Sequence, residues 1–425
     1  MTSFRSPVSR RSFLQVTGAI AGTAAMSASS YARVIGANDR IRIGFIGAGG
    51  MGTTHLEAVK ALISKDNLQP ICVADCWKTR AEKGAAFVGA PESFTEWRKV
   101  IDHKDVDYVT IATPEHWHSD MTIAALDAGK PVYCEKPMTH TLPEAQAVMK
   151  KQKETKLPLQ IGVQAMSDDS YATAAVAIRK GILGRVVQAQ IEYVRRYGEQ
   201  GPWREPDLKS DMPKPADLDW KTWLGHAPTI EWNPHHYFEW RNYSAYSGGI
   251  CTDLFIHRIT RIMKACDLLY PRRVVGMGGI WQWPDGRDLP DNFEMICEYP
   301  RGMTVYVLGT MSNRVGIDHI IRGYRATMYF TSTGWEVKDK DGKVLETHKK
   351  SGGEDVQLHH TNLHNHLRNG EPLNCPVELG MAGVAAVCMA NESWRTGKMM
   401  AWDKENEKMV PADTLELSHF PEETA

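Results

Sequence analysis

The sequence predicts an α/β fold class: an N-terminal, doubly wound parallel sheet, followed by a C-terminal α+β domain with a predominantly antiparallel, open sheet. Over residues 39–159, nearly continuous apolar runs alternate with stretches of helical periodicity, which is typical of a parallel sheet covered on both faces. Over residues 160–425, helices become sparse and hairpin signals frequent. The 425 residues, 42% of them hydrophobic, are enough for two domains with cores of their own.

The first 32 residues differ in composition from the rest of the chain. Arg10 and Arg11 precede Phe13, Leu14 and a mildly apolar segment of small residues. This order resembles a twin-arginine export signal and predicts a signal peptide over residues 1–32 and a periplasmic or otherwise exported protein. The alternative is a frayed N-terminal tail.

The remaining sequence excludes two classes of partner. The net charge of −1 shows no basic excess of the kind that binds nucleic acid. The mature part holds no apolar run long enough to span a bilayer, so we expect no stable membrane span after signal removal.

A glycine-rich turn follows the first predicted strand, in the stretch IRIGFIGAGGMGT at 41–53. Gly47, Gly49 and Gly52 have the spacing G-x-G-x-x-G, which permits a tight turn, close approach of a pyrophosphate and close packing of the next helix. Free N–H groups at the helix start would face the phosphates. The spacing predicts a dinucleotide site of the Rossmann type, an ordinary βα turn being the alternative. Its predicted cofactor-binding residues are Gly47, Ala48, Gly49, Gly50, Met51 and Gly52.

Asp75 ends the second predicted strand, 68–75, at about the distance beyond the glycines, roughly twenty residues, at which a carboxylate accepts from the adenosine ribose hydroxyls. It favours NAD over NADP, because a carboxylate there repels a 2′-phosphate. Lys78 and Arg80 keep the NADP alternative open. Asp75 could instead cap the helix that follows it.

Two further strands, 106–112 and 131–134, end in segments with chemical candidates. The segment at 113–118, TPEHWH, follows the first strand, and Glu135-Lys136-Pro137 follows the second. Because the carboxyl ends of parallel strands meet at one edge, both segments lie where doubly wound sheets bind ligands. Helices are predicted over residues 55–64, 119–129 and 143–156.

At these residues the sequence resembles the Gfo/Idh/MocA (glucose–fructose oxidoreductase / inositol dehydrogenase) family, in its exported bacterial type. The resemblance rests on the glycine loop, on TPxxxH at 113–118 and on GKPVYCEKPM at 129–138, and it covers nearly the whole mature chain. It implies an NAD(P)-dependent oxidoreductase in which Lys136 lies beside the nicotinamide and the substrate hydroxyl. A surface lysine in a turn is the alternative. The cofactor-binding residues that it adds are Thr113, Pro114, His118, Glu135 and Lys136.

The resemblance carries further expectations. A cis bond before Pro137 is expected. An open face of the second sheet often mediates oligomers in the family, which implies a homo-oligomer, either a dimer or a tetramer. In the second domain we predict helices over 171–180 and 377–395, and strands over 184–195, 273–279, 293–299, 303–309, 324–331 and 334–337.

Tryptophan, tyrosine and proline are frequent in an insert over residues 197–249. Aromatic rings with polar edges suit the apolar faces of sugars, so the insert favours a carbohydrate substrate, although most of its rings are expected in a core or an interface. DWKTWLGHAP at 219–228 resembles a scaffold element of exported family members. The substrate-binding candidates in the insert are Tyr197, Trp203, His236 and Arg241.

Asp253 and His257 lie four residues apart in a predicted apolar helix, hence on one face. The resemblance implies that His257 is the general base and that Asp253 orients it or contacts substrate. Histidine has the near-neutral pKa that removal of a hydroxyl proton needs. With Lys136, these residues are the predicted catalytic and substrate-binding groups. The alternative is a buried pair that only ties the helix to its surroundings.

The remaining cysteines and histidines carry no predicted metal site. The eight cysteines show no C-x-x-C pair and are read as buried thiols, with a disulfide left open. His359, His360, His364 and His366 include a pair at i and i+4 but lack further ligands, so we expect scaffold.

Three functions follow. The first is a periplasmic NAD-dependent oxidoreductase acting on a sugar, polyol or glycoside hydroxyl with retained cofactor, because export removes the protein from free nicotinamide pools. The alternative is a redox-neutral glycoside hydrolase, in which the same residues and the same NAD oxidise, eliminate, hydrate and reduce. A non-catalytic NAD-binding protein is disfavoured by the joint presence of Lys136, Asp253 and His257.

Overall fold

The computed structural model describes residues 39–205 and 207–415, so the predicted signal peptide lies outside the described residues. Six parallel strands form the first sheet, in the order β3-β2-β1-β4-β5-β6. The strands are β1 (Ile41–Ile46), β2 (Leu68–Ala74), β3 (Glu92–Phe94), β4 (Tyr108–Ile111), β5 (Val132–Glu135) and β6 (Leu159–Gly162). Their apolar runs are buried because helices cover both faces. This is the predicted Rossmann-type sheet.

The chain order of this sheet reverses at β1, whose neighbours are β2 and β4. In doubly wound sheets the crevice at that reversal, outside the carboxyl ends of the strands, is the ligand site. The loops after β1 and β4 border it here. The helices of this domain are α1 (Gly50–Leu62), α2 (Lys78–Val88), α3 (Arg98–Ile101), α4 (His118–Asp127) and α5 (Leu142–Thr155).

The first sheet extends slightly beyond the residues predicted for it. β6 pairs with β5 over residues 159–162, so the predicted boundary between residues 159 and 160 passes through a strand. The strand is short and leads directly into a 3-10 turn, Gln164–Ser167. Its sequence therefore lacks a pattern that marks where the first domain ends and the second begins.

Ten strands form the second sheet, in the order β14-β13-β12-β11-β7-β10-β9-β8-β15-β16. Only β7 and β10 run parallel, and the other neighbours are antiparallel, as predicted. Its strands are β7 (Val186–Val194), β8 (Arg273–Gly279), β9 (Asn292–Tyr299), β10 (Met303–Thr310), β11 (Ile320–Gly323), β12 (Ala326–Thr331), β13 (Gly334–Asp339), β14 (Val344–Lys349), β15 (Met400–Asp403) and β16 (Lys408–Pro411). Its helices are α6 (Asp169–Arg179), α7 (Trp220–Leu224), α8 (Pro234–Phe238), α9 (Ile256–Cys266), α10 (Val356–Asn369) and α11 (Val377–Thr396).

A π-helical segment, Ile250–Phe255, precedes α9 where the sequence predicts one continuous helix. Its Thr252 hydroxyl donates to the Glu115 carboxylate at 2.8 Å, and the Gly248 N–H donates to the same Oε2 at 3.2 Å. The start of this segment is therefore bonded to the first domain. π-turns recur at functional sites because they shift a side chain off the regular helix face.

The aromatic insert forms a small core of its own. Trp220 and Trp223 stack with ring centroids 4.9 Å apart, and Tyr237 and Tyr246 pack against them. Most of the insert's tryptophans therefore stabilise its fold, since a stacked, buried ring leaves little surface for a sugar.

The structure shows the state of several individual bonds and side chains that the sequence analysis discusses. The Lys136–Pro137 bond is cis. All eight cysteines are free thiols, and His359, His360 and His364 are buried in the core.

Within residues 39–205 and 207–415, no group of three His, Cys, Asp or Glu side chains is arranged to hold a metal ion. None of the helices in those same ranges is both long and apolar enough to cross a bilayer.

Replacing Gly52 with alanine tests the packing of α1 on the turn after β1. A Cβ at residue 52 would lie 2.2 Å from the Gly47 carbonyl oxygen, whereas a Cβ at residue 50 meets nothing within 4 Å. We expect Gly52→Ala to lower the free energy of unfolding by about 1–3 kcal/mol, as overpacking does. Gly50→Ala is the matched control and should leave it within about 0.5 kcal/mol. Denaturant unfolding measures both, and equal stability of the two variants would contradict this account of Gly52.

Candidate active site

A cleft of 270 Å³ opens at the carboxyl edge of the first sheet. The turn after β1, the end of β2, the loops after β4 and β5, and the aromatic insert all contribute to it. The cleft therefore lies at the predicted ligand edge and is covered in part by the second domain. The predicted site residues that line it are Gly47, Gly49, Gly50, Met51, Asp75, Thr113, Pro114, Glu135, Lys136 and Arg241.

The glycine turn divides into packing positions and open positions. Gly47 has a φ of +92°, in the left-handed region, and a Cβ there would lie 2.6 Å from the Ala112 carbonyl oxygen. Beside Gly49, in contrast, the nearest atom to an added Cβ is Arg80 Nη1 at 3.5 Å. The start of α1 thus presents free N–H groups to open space in the cleft, an arrangement that fits the phosphates of a dinucleotide.

Asp75 joins the glycine turn to the loop after β2. Its Oδ2 accepts from the Ala48 N–H and its Oδ1 from the Trp77 N–H, each at 2.9 Å. Burial raises the pKa of Asp75, and these two hydrogen bonds offset part of that rise. Ala48 itself is buried, so its N–H serves Asp75 rather than the cleft. The N-cap of α2 is Trp77, so the alternative that Asp75 caps this helix does not hold.

Arg80 lies over the outer part of the same cleft. Its guanidinium stacks on the Trp77 ring, with Cζ 4.7 Å from the centroid, and Nη1 donates to Tyr237 Oη at 3.1 Å. The Arg80 guanidinium therefore places a positive charge beside Gly49. This charge and the N-terminus of α1 would both attract the negative pyrophosphate.

Lys136 reaches the second domain from the end of β5. Its Nζ donates to Asp253 Oδ1 at 2.7 Å and to the Asp253 carbonyl at 2.8 Å, and its side chain is only 9% exposed. The alternative of a surface lysine is therefore excluded. Arg241 Nε donates to the same Oδ1 at 2.9 Å. Burial alone would raise the pKa of Asp253, but the charges of Arg241 and Lys136 hold it well below its usual range.

His257 is buried on the first turn of α9, separate from this ion triad. Its Nδ1 lies 3.4 Å from Glu354 Oε1 but has no hydrogen-bond partner among the described residues. Burial, together with the charges of Lys136, Arg261 and Arg258, holds the pKa of His257 well below 6.5. The ring is therefore neutral near pH 7, in the state that accepts a proton.

The predicted contact between Asp253 and His257 is not formed in the part of the chain that the structure describes. Asp253 belongs to the π-helical segment, so the four-residue spacing does not place the two side chains on one α-helical face. Two cations occupy the carboxylate instead. Asp253 is thus a partner of Lys136 and Arg241, and it does not orient the His257 ring.

Four other predicted site residues lie away from the cleft lining. His118 is buried between the loops after β4 and β5, with ring nitrogens 2.7 Å from the Pro137 carbonyl and 2.9 Å from the Thr113 carbonyl. It holds those loops together instead of facing a cofactor. His236 stacks on Tyr243 with centroids 3.9 Å apart, inside the insert.

Tyr197 and Trp203 complete this group. Both pack against the main hydrophobic core, and Tyr197 Oη accepts from Arg195 Nη1 at 3.2 Å. Aromatic content alone selected these positions, and aromatic side chains are more often used for packing than for ligands.

The structure adds a buried carboxylate that sequence reasoning did not single out. Glu115 accepts from Ser247 Oγ at 2.6 Å and from Thr252, and thereby joins the loop after β4 to the second domain. Burial, and to a lesser extent the charge of Asp253, raises the pKa of Glu115 to about 7. A lone acid in TPEHWH gives no sign of partners that lie more than a hundred residues away.

Glu135 is held in a similar way from behind the cleft. Its Oε1 lies 2.9 Å from His55 Nε2 and accepts from Gln164 Nε2 at 2.5 Å. Burial alone would raise the pKa of Glu135, but the His55 hydrogen bond and the charge of Lys136 lower it. The residue before Lys136 is thus a fixed anion at the wall of the cleft.

Comparisons with known proteins agree with this arrangement. The family model described as "Oxidoreductase family, NAD-binding Rossmann fold" matches residues 41–163, and that described as "Oxidoreductase family, C-terminal alpha/beta domain" matches residues 167–269. The chain is 35% identical over 149 residues to inositol 2-dehydrogenase 4 of Saccharopolyspora erythraea, and 33% identical over 148 residues to scyllo-inositol 2-dehydrogenase (NAD(+)) of Bacillus subtilis.

Each of these matches covers 35% of this chain, and the chain spans only 44% and 43% of the length of the two relatives. A solved structure of levoglucosan dehydrogenase in complex with NADH superposes with a TM-score of 0.65 at 19% identity, over 88% of this chain and 99% of that one. At that identity the superposition shows the fold. The two family models together match more than half of the chain, which therefore belongs to the Gfo/Idh/MocA family of NAD-binding oxidoreductases.

Proposed function

We propose that this chain is an NAD-dependent oxidoreductase that acts on a hydroxyl of a sugar, polyol or glycoside, and that it retains its cofactor. The observation that carries the proposal is the ammonium group of Lys136, held by Asp253 at the inner end of a glycine-turn cleft. The names of the relatives, inositol, scyllo-inositol and levoglucosan dehydrogenases, support a polyhydroxylated substrate.

Bound NAD supplies the hydride acceptor. Lys136 would donate a hydrogen bond to the reacting oxygen, and Asp253 would hold the ammonium group in position. His257, neutral because its pKa is low, would accept the hydroxyl proton at Nδ1 or Nε2. The residues thus divide two tasks, since Lys136 polarises the oxygen while His257 removes its proton.

We further infer export to the periplasm and assembly into a homo-oligomer. Arg10, Arg11 and the apolar segment after them support the first. Exposed apolar side chains on strands of the second sheet, Val187, Met277 and Ile296, support the second.

The aromatic insert supports retention of the cofactor, because it is bonded to the loop beside Asp75. The Asp217 carboxylate accepts from Trp77 Nε1 at 2.9 Å and from the Thr79 N–H at 2.8 Å. Main-chain bonds run from the Lys78 N–H to the Asp217 carbonyl and from the Asp219 N–H to the Cys76 carbonyl. The insert therefore covers the ribose end of the cleft and would have to loosen before a dinucleotide could leave.

The central experiment uses mature protein purified without added cofactor. Absorbance at the nicotinamide band reports bound dinucleotide, and a panel of free sugars, polyols and glycosides is then supplied. Reduction of the cofactor by a free sugar or polyol is the expected result. Release of an aglycone without net change in the cofactor would instead establish the redox-neutral hydrolase.

Lys136→Met should abolish turnover while leaving the dinucleotide bound. Arg241 still pairs with Asp253 in this variant, so no buried carboxylate is left alone. We expect kcat to fall about 10²–10⁴-fold, the range for a positioned proton-transfer or polarising group. Lys340→Met, at a lysine side chain that is 84% exposed, is the matched control and should turn over normally. Unchanged kcat in the Lys136 variant would remove the mechanism.

The pH profile tests His257 as the base. The base must be neutral to act, and its pKa lies well below 6.5, so kcat/KM should stay level from pH 8 to below pH 6.5 before it falls. His257→Asn should lower kcat/KM by about 10²–10⁴-fold and remove that acid limb. An acid limb centred above pH 6.5 in the parent, or one that persists in the variant, would assign the base to another group.

Asp217→Ala tests the contribution of the insert to cofactor retention. The substitution removes the side-chain bonds to Trp77 and Thr79, and we expect NAD to dissociate about tenfold faster, equivalent to ~1.4 kcal/mol. Asp219→Ala is the control, because the Asp219 carboxylate caps only α7 through Thr222. Rates are measured by chasing bound NADH and following nicotinamide fluorescence. Equal rates for the two variants would count against the insert as a clamp.

A further inference from the structure

A group of arginines lies around His257, outside the dinucleotide cleft. Arg258 has Cζ 4.4 Å from the centroid of the Tyr193 ring, and Arg195 has Cζ 4.8 Å from the same centroid. The Tyr193 ring is in turn 6.3 Å from the His257 ring. Arg261 follows one turn later on α9. We call Arg195, Arg258 and Arg261 the basic cluster.

The nearby carboxylates already have partners, one of them within the cluster. Glu354 Oε2 accepts from Arg261 Nη2 at 2.8 Å, and Glu192 pairs with His319 at 3.1 Å. Asp253 is occupied by Lys136 and Arg241. Arg258 forms no ion pair with any carboxylate in residues 39–205 and 207–415, and so the basic cluster has a surplus of positive charge.

Two donors of the basic cluster are buried and have no hydrogen-bond partner among the described residues: Arg258 Nε and Arg261 Nε. Buried guanidinium donors are costly to leave unpaired, so an anionic ligand group that accepts from them would offset that cost. Arg195 is exposed and Arg258 half-buried, so the cluster is open to solvent at one end. Its planar donors suit an oxyanion, which arginine binds through two parallel hydrogen bonds.

We propose that the substrate is an acidic sugar, whose anionic group, a carboxylate or a sulfate ester, is bound by Arg258 together with Arg195 and Arg261 while a ring hydroxyl meets Lys136 and His257. This rests on the proposed function and specifies its substrate class. The cofactor cleft and the basic cluster then serve opposite ends of one reaction site, with the Lys136–Asp253 pair between them.

The electrostatics of His257 agree with such a substrate. The charges of Arg258 and Arg261 contribute to the lowered pKa of its ring. An anion bound to those guanidinium groups offsets their charge and raises the pKa of His257 toward its ordinary value. The base is therefore stronger when an acidic sugar is bound than when a neutral one is.

The test measures binding and turnover separately on the NAD-loaded protein. The probes are D-glucuronate, D-galacturonate, glucose 6-sulfate and the neutral sugars glucose and galactose. We expect at least one acidic probe to bind at least about tenfold more tightly by calorimetry than its neutral counterpart, and to weaken as sodium chloride is raised. Tighter binding of the uronates identifies a carboxylate subsite, and tighter binding of glucose 6-sulfate identifies a sulfate subsite.

Arg258→Met should raise the dissociation constant of the preferred acidic probe about 10–100-fold, and Arg258→Lys should restore part of it. Arg179→Met, at an exposed arginine at the end of α6, is the control and should bind like the parent. NADH fluorescence shows that each variant is folded. Bound acidic probe should also shift the acid limb of the kcat profile to a higher pH than that of kcat/KM.

The outcomes separate the two proposals. Equal, salt-independent binding of acidic and neutral probes, unaffected by Arg258→Met, would overturn the acidic-sugar inference, and turnover of a neutral sugar would then leave the proposed oxidoreductase intact. Tight, Arg258-dependent binding of an acidic probe supports the inference even if that probe is not oxidised. Absence of cofactor reduction by every sugar and polyol in the panel would count against the proposed function alone.

Discussion

The carboxylate of Asp253 is the point at which the three parts of this protein meet. Lys136 comes from the first sheet, Arg241 from the aromatic insert and Asp253 from the π-helical segment of the second domain, and the two cations converge on one oxygen atom of the carboxylate. A buried ion pair adds little net stability, because desolvation consumes much of the Coulomb attraction. Removal of both cations would leave this carboxylate buried and unpaired, at a cost of about 3–5 kcal/mol, so the arrangement strongly favours one geometry. That geometry directs Lys136 toward the cleft.

The π-helical segment allows Asp253 to bind both cations while its neighbours in the sequence make different contacts. Thr252 bonds to Glu115 in the first domain, Asp253 bonds to Lys136, and His257 lies on the regular helix that follows. In an uninterrupted α-helix, Asp253 and His257 would be neighbours on one face. The π-helical segment instead directs Asp253 to the two cations and leaves the neutral His257 ring outside that ion triad.

Sequence reasoning recovered the parts of the fold that have local patterns. The apolar strands, the glycine turn and Lys136 are each signalled within a few residues. The predicted boundary between residues 159 and 160 passes through β6, because a strand of four residues carries no pattern that indicates the sheet it joins. The contacts of Asp217 and Glu115 could not be predicted from the sequence for a different reason. Their hydrogen-bond partners lie more than a hundred residues away in the sequence, so these contacts can be recognised only once the fold is known.

The distribution of paired and unpaired arginines connects the two ligand regions. Arg241 forms an ion pair with Asp253, and Arg204 forms ion pairs with Glu239 and Asp285. Arg80, beside Gly49, and Arg258, beside His257, instead rest on aromatic rings without a carboxylate partner in the described chain. A guanidinium on an aromatic face keeps its outward donors available, whereas one paired with a carboxylate does not. Two arginines without a carboxylate partner in the described chain therefore lie beside the glycine turn and beside His257, and a dinucleotide and an acidic sugar would each bring a negative group to one of them.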